Sequence, residues 1–454
     1  MSEHLQALTL CEGDLSFATD LYQLTMAAAY HAGGTVPRAT FELFVRRLPE
    51  HRNFLVFAGL EQALAALEDL RFSPEQLGYL RSLPVFAAVP DSFFELLAGF
   101  RFRGDVDAVA EGTVFFPTEP VLRVTGSLIE AQLVETLLLA ILNFQTAIAS
   151  KAARMVLAAE GEATLAEFGS RRAHGPQAGA WVARAAYLAG FDSTSNVLAG
   201  QRLGVPVVGT MAHSFVQSFV DECDAFRHYH DLFPNNTIYL VDTYDTLEGV
   251  RKAVALGLPF QGVRIDSGDL AELAVGAREI LDGAGFTNAL IFGSGDLDEW
   301  RVEELRRRGV PFDAYGIGTQ LAACADAPHL GGVYKLVAVE ESGSWRPSAK
   351  ASTGKATYPG RKQVLRRLED GRLAEDTIVL EADAAGGEGL LRPVMIGGDV
   401  LDTARGSFTL EAARKHCREE LAALPDALRR LPVTDLPFSA KIHPRLEALR
   451  RRRG

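Results

Sequence analysis

Phe41, Leu43 and Val45 recur at every second position, which predicts a strand with those residues on one face. Residues 129–160 contain no Gly or Pro, and Leu133, Leu137, Ile141, Phe144 and Ile148 recur every three or four positions, which predicts one long core helix. Beyond it the pattern becomes regular. Apolar runs at 164–168, 205–210, 237–241, 262–265, 289–292 and 312–315 end in small or polar residues and alternate with helical patterns. Pro176 and Gly190 bracket one of those helices in the expected order, Pro in the first turn and Gly past the end. Strands spaced by single helices describe successive βαβ units and a parallel sheet, and so many in a row favour a barrel. The fold class expected is α/β, with a β/α barrel over 128–346, an α/β domain over 1–127, and a segment over 347–454 leading back to that first domain.

Each predicted strand is followed by a cluster that can do chemistry: Gly169-Ser170-Arg171-Arg172, Ala212-His213-Ser214, Asp242-Thr243-Tyr244-Asp245, Asp266-Ser267-Gly268-Asp269, Gly293-Ser294-Gly295-Asp296 and Gly316-Ile317-Gly318-Thr319. In a β/α barrel the loops after the strands share one face and carry the activity, so these clusters should converge. Small Gly/Ser/Thr loops that open helices offer backbone N–H groups to phosphate; alone each reads more readily as a turn, and the pair after the two last strands favours phosphate. Arg171, Arg172 and Arg264 have largely apolar or small neighbours, where a guanidinium needs an anionic partner or substrate. Asp266 and Asp269 suit ribose hydroxyls or a hard cation; helix capping is the alternative, above all for Asp269. His213 is either a nucleophile or proton carrier or a structural residue.

At 454 residues, 48% apolar and 23% charged, the chain is an ordinary water-soluble sequence large enough for two domains. Its formal charge of −12 disfavours nucleic-acid backbones as partners, so anionic substrates must be caught locally. The basic run 450–453 reads as a solvated helix end beside Leu446 and Leu449. Cys11, Cys223, Cys324 and Cys417 lie far apart without CxxC spacing, which argues against zinc or a disulfide framework and for a reducing cytoplasm. Glu3, Glu12 and Asp14 oppose a signal peptide, and the apolar stretch 133–141, broken by Glu135, is too short to span a bilayer. No membrane partner is expected.

Six stretches, 20–26, 167–172, 190–196, 209–214, 263–269 and 316–319, resemble the nicotinate phosphoribosyltransferase family, in family order over about 20–362. The resemblance implies a type II phosphoribosyltransferase architecture: an irregular, TIM-like β/α barrel with a second α/β domain, working as a homodimer with shared active sites. It implies that nicotinate lies between Phe168 and Tyr22 of the partner subunit, its carboxylate met by Arg264 with Arg171 and Thr210 close by. It implies that 5-phosphoribosyl 1-diphosphate lies along Asp266, Ser294, Gly295, Gly318 and Thr319, and that His213 is phosphorylated by ATP, with Mg2+ accompanying ATP and diphosphate. The implied product is nicotinate mononucleotide, in NAD salvage. A nicotinamide-specific relative would place an Asp where this chain reads Ser193-Thr194-Ser195-Asn196, and a quinolinate-specific one is much shorter and lacks the histidine. A non-catalytic scaffold is opposed by the intact Tyr22, Arg171, His213 and Asp266. An aldolase-like barrel would want a strand-end lysine, for which Lys335 is the nearest candidate.

Overall fold

The computed structural model describes residues 12–34, 36–350, 357–384, 389–407, 409–435 and 437–451. Two compact units result: Met1–Thr146 with His329–Leu428 and Thr434–Gly454, and Ala147–Pro328 with Arg429–Val433. The limits expected from the sequence are 127/128 and 346/347.

The first unit holds a seven-stranded antiparallel sheet ordered Ser344–Pro347, Gly332–Glu341, Arg38–Val45, Leu122–Ser127, Asp105–Ala108, Arg392–Ile396, Asp399–Val400. Arg38–Val45 lies inside it, so every residue of that strand after Arg38 is buried and the simple alternation is lost. Glu42 can be buried there because Lys362 Nζ lies 2.7 Å from its carboxylate. Lys335, the lysine considered for barrel chemistry, sits on Gly332–Glu341 and pairs with Glu135 at 3.6 Å.

The second unit is built on six parallel strands in the order Ser193–Thr194, Thr164–Glu167, Ala314–Ile317, Leu290–Gly293, Gly262–Ile265, Ile238–Leu240. First and last in sequence pair with each other, as in a barrel, and Val207 adds a single parallel bridge to Thr194. Among the described residues the ring of pairings stays open between Val207 and Ile238–Leu240, which makes the barrel irregular. The run 205–210 is therefore not the regular strand expected: Pro206 has no N–H to donate, and the segment is held by Thr194 N to Pro206 O and Val208 N to Thr194 O, both 2.9 Å. The last strand is shifted to Ala314–Ile317. Ala166, Phe292 and Ala314 form a buried cluster with Phe168 and Ile238 packed against it. The helix Pro176–Ala189 carries Pro176 in its first turn and ends at Gly190 with φ 123°, as its sequence predicts.

The long helix is two. Ser127 and Glu130 form a capping box that starts Leu128–Leu133, and Glu135–Ala159 follows as 25 residues. By length and composition this second helix could cross a membrane, but 67% of its most apolar window is buried, as in a core helix. Its Lys151 lies 2.6 Å from Glu299 and 2.9 Å from Asp326, and its Arg154 lies 3.0 Å from Glu299. Glu299 is completely buried; burial alone would raise its carboxyl, but Lys151 and then Arg154 reverse this and hold it below the ordinary range. A folded pKa below the unfolded one gives stability that is present above the ordinary carboxylate range, about pH 4, and is lost as pH falls through the folded value. Glu299→Leu should cost about 3–5 kcal/mol in denaturant unfolding near neutrality, because two buried cations lose their common acceptor, and less in acid. A loss below about 1 kcal/mol near neutrality would contradict the assignment of this cluster as a stability centre.

Candidate active site

A cavity of about 470 Å³ opens beyond the carboxyl ends of the barrel strands, lined by Phe168, Arg171, Ser195, Gly209, Thr210, Met211, Ala212, His213, Ser214, Leu240, Arg264 and Asp266. Six of the residues singled out in the sequence meet there: Phe168, Arg171, Thr210, His213, Arg264 and Asp266. Tyr22 lies on the helix Leu21–Ala32 of the other unit, about half exposed. Ser294, Gly295, Gly318 and Thr319 stand at the ends of the last two strands without lining the cavity.

Arg264 is the fixed centre. It comes from Gly262–Ile265, its side chain is 12% exposed, and its guanidinium donates three ways: Nε to Ser294 Oγ at 2.8 Å, Nη1 to Thr210 Oγ1 at 2.9 Å and Nη2 to Asp266 Oδ1 at 2.7 Å. Ser294 also donates to Asp266 Oδ1. Burial would raise the Asp266 carboxyl, but the Ser294 hydroxyl and Arg264 outweigh it, so the group stays ionised below its ordinary range. Ser294 is thus spent on holding the arginine and the aspartate. Gly295 makes this possible: its φ is +92°, and a Cβ there would lie 1.9 Å from Asp266 O.

The aromatic wall follows from a second glycine. Phe168 stacks on Phe292 at 5.6 Å between centroids and 10° between planes, with the Arg264 guanidinium 5.5 Å from the Phe168 centroid. A Cβ on Gly316 would approach Phe168 to 2.7 Å and Phe292 to 2.8 Å, so the absent side chain leaves room for both rings.

His213 opens the short helix His213–Gln217; Ala212 occupies the capping position, so His213 is not the cap. Its Nδ1 lies 3.1 Å from Thr243 Oγ1, while Nε2 lies 3.8 Å from Asp266 Oδ2 and 4.0 Å from Asp242 Oδ1. Asp242 is fixed through its other oxygen, which accepts from Ser267 Oγ at 2.6 Å and Asp266 N at 3.1 Å, leaving Oδ1 buried without a hydrogen-bond partner beside the imidazole. Sequence reasoning placed Asp242 and Thr243 in a loop cluster but not around this histidine. Met211 and Ser214 were likewise given no role, although each lies in a quoted motif, and Ser195 entered only as part of the neutral stretch 193–196. Asp269 caps the helix Leu270–Gly283, accepting from Ala271 N and Glu272 N, which is its structural reading. Among the described residues no three His, Cys, Asp or Glu gather as a metal cage.

A β/α barrel with an arginine, a histidine and an aspartate converging beyond its strand ends, in a chain that also carries an antiparallel second domain, has the architecture of a type II phosphoribosyltransferase. The model of the nicotinate phosphoribosyltransferase N-terminal domain matches residues 17–143, and that of the nicotinate phosphoribosyltransferase family matches residues 163–368. A nicotinate phosphoribosyltransferase of Mycobacterium tuberculosis, pncB2, is 45% identical over 434 residues, covering 94% of this chain and 91% of its own. That of Bacillus subtilis is 46% identical over 365 residues, covering 78% and 74%. The crystal structure of human nicotinic acid phosphoribosyltransferase superposes with a TM-score of 0.83 at 31% identity, covering 96% of this chain and 99% of that one. The chain belongs to the nicotinate phosphoribosyltransferase family of NAD biosynthesis enzymes.

Gly316→Ala tests the aromatic wall. The added methyl has no room between the rings, so the variant should bind a flat aromatic acid at least about tenfold more weakly while keeping a native circular dichroism spectrum. Unchanged binding would show that the ring pair does not form the wall.

Proposed function

We propose that this chain transfers the 5-phosphoribosyl group of 5-phosphoribosyl 1-diphosphate to the ring nitrogen of nicotinate, releasing diphosphate, and that ATP hydrolysis is coupled to this through a phosphate carried on His213. The observation that carries the reading is the triply anchored Arg264 beside Phe168 in a cavity that also holds Arg171. A flat pyridine ring suits the Phe168 face, and a ring carboxylate suits guanidinium groups. Asp266 neutralises much of the Arg264 charge, and Arg171 is exposed with no ion-pair partner among the described residues, so both arginines enter the carboxylate reading. Among the described residues lining the cavity the one carboxylate, Asp266, is tied through Oδ1 to Arg264 and Ser294, and two arginines stand beside it, which favours the acid over nicotinamide.

The residues need only hold the ring nitrogen against the anomeric carbon and favour departure of the diphosphate. Asp266 is the candidate for the ribose. Gly318, Thr319, Ser294 and Gly295 form the strand ends toward which the phosphates would extend, Ser294 acting through Arg264 and Asp266. Tyr22 would close the ring sandwich from a partner subunit in a homodimer. One ionised carboxylate in the lining, already committed through one oxygen, fits a magnesium ion held chiefly by substrate phosphates. His213 offers Nε2 as the phosphoryl acceptor, held with Asp266 Oδ2 at 3.8 Å and Asp242 Oδ1 at 4.0 Å beside it. The cytoplasm is the proposed location.

Wild-type protein and His213→Ala are to be incubated with 5-phosphoribosyl 1-diphosphate, magnesium and either nicotinate, nicotinamide or quinolinate, with and without ATP. The wild type should form mononucleotide from nicotinate with kcat/KM at least about a hundredfold above nicotinamide, because a site built for a charge rejects the neutral analogue. ATP should stimulate the wild type and leave His213→Ala, which keeps a low basal rate, unaffected. Equal use of the acid and the amide would overturn the substrate reading, and ATP stimulation persisting in folded His213→Ala would overturn the phosphohistidine.

A further inference from the structure

Glu167 is the last residue of the strand Thr164–Glu167 and is completely buried, yet among the described residues it has no ion-pair partner. Ala166 faces the cluster inside the barrel, so pleating places Glu167 on the opposite side of the sheet, behind the cavity wall. Its two oxygens are both used. Oε1 accepts from Gly169 N, and Oε2 accepts from Thr194 Oγ1 at 2.6 Å, directly across the ladder. Thr194 Oγ1 accepts in turn from Asn196 N at 3.0 Å, and the Asn196 amide donates to Ser170 Oγ at 2.9 Å. The main chain runs the same way: Ser195 N donates to Glu167 O, and Thr194 exchanges bonds with Pro206 and Val208, which lead into Gly209 and Thr210. Gly169 completes the fit, since a Cβ there would lie 2.5 Å from Ala322 Cβ and 2.8 Å from Glu167 Oε1.

We propose that Glu167 is a positioning residue for the aromatic acid: one buried carboxyl group that ties the Phe168–Arg171 wall to the Thr194–Asn196 wall and so sets the width of the slot between Phe168 and Ser195. It touches no substrate and acts through Gly169 and Thr194. Burial pushes the Glu167 carboxyl above its ordinary range, with the Thr194 and Gly169 bonds only partly opposing this, as befits a group kept from water and from cations. A buried carboxyl without a cation is costly, and a neutral polar or apolar residue would stabilise a purely structural position better. A glutamine cannot replace it, because its single amide oxygen serves one of the two donors and its NH2 faces the other. This inference rests on nicotinate binding in the cavity.

Glu167→Gln, Thr194→Val and Thr194→Ser are to be assayed for KM and kcat with nicotinate, for KM with 5-phosphoribosyl 1-diphosphate, and for thermal midpoint. Glu167→Gln and Thr194→Val should each raise KM for nicotinate about tenfold with kcat within about twofold, the signature of lost uniform binding. KM for the second substrate should stay within about twofold, and the double variant should be no worse than the poorer single one, because both break one clamp. Thr194→Ser, which keeps the hydroxyl, should restore wild-type KM. A wild-type KM for nicotinate in Thr194→Val, or a Thr194→Ser variant as impaired as Thr194→Val, overturns the proposal; these two decide it even where Glu167→Gln fails to fold. A lowered midpoint with unchanged KM assigns Glu167 to stability alone and also overturns it. Wild-type protein inactive on nicotinate would instead sink the proposed function.

Discussion

The three-way anchoring of the Arg264 guanidinium is the constraint on which the site depends. A mostly buried arginine demands acceptors, and here they come from three places that are distant in sequence: Thr210, Asp266 and Ser294. Each sits just past a strand or bridge of the barrel, so satisfying one cation fixes the relative positions of three loops. The fork geometry of the guanidinium makes that fixation directional, which a lysine at the same place would not do. Asp266 remains ionised because of it, and His213 faces an ionised carboxylate as a result. Gly295 and Gly316 are the packing conditions for this arrangement. One lets the Ser294 loop approach the Asp266 backbone, and the other admits the two aromatic rings.

The parallel core was legible because its strands are buried on both faces and read as short apolar runs: Thr164–Glu167, Ile238–Leu240, Gly262–Ile265 and Leu290–Gly293 fall at or within a residue of the expected limits. Ser193–Thr194 was not legible, since two polar residues carry no periodicity; they are a strand only because Glu167 and Pro206 lie on either side. The run 205–210 looked like its neighbours but contains a proline that cannot join a ladder. The split of the long helix at Val134 was hidden because both halves continue the same apolar spacing, whereas the Ser127–Glu130 capping box that begins it lay in plain view.

For the site, resemblance singled out Phe168, Arg171, Thr210, His213, Arg264 and Asp266, and the barrel brings these six to one cavity. It was silent on what holds them. Glu167 was quoted as part of a motif, but its partner Thr194 is 27 residues away, and no local pattern reveals a cross-strand pair of this kind. Asp242 was equally visible and equally unassigned, because its oxygens are shared between a neighbouring loop and an imidazole 29 residues upstream. The hydrogen bonds that join these residues appear only when the strands are brought together.

The central claim, that the anchored Arg264 fork is what receives the aromatic acid, is tested most directly by calorimetric titration of nicotinate into wild-type protein and into Arg264→Lys of native circular dichroism. Lysine keeps the charge but cannot serve Thr210, Asp266 and Ser294 at once, so nicotinate should bind at least about tenfold more weakly. Wild-type affinity in the lysine variant would contradict the claim.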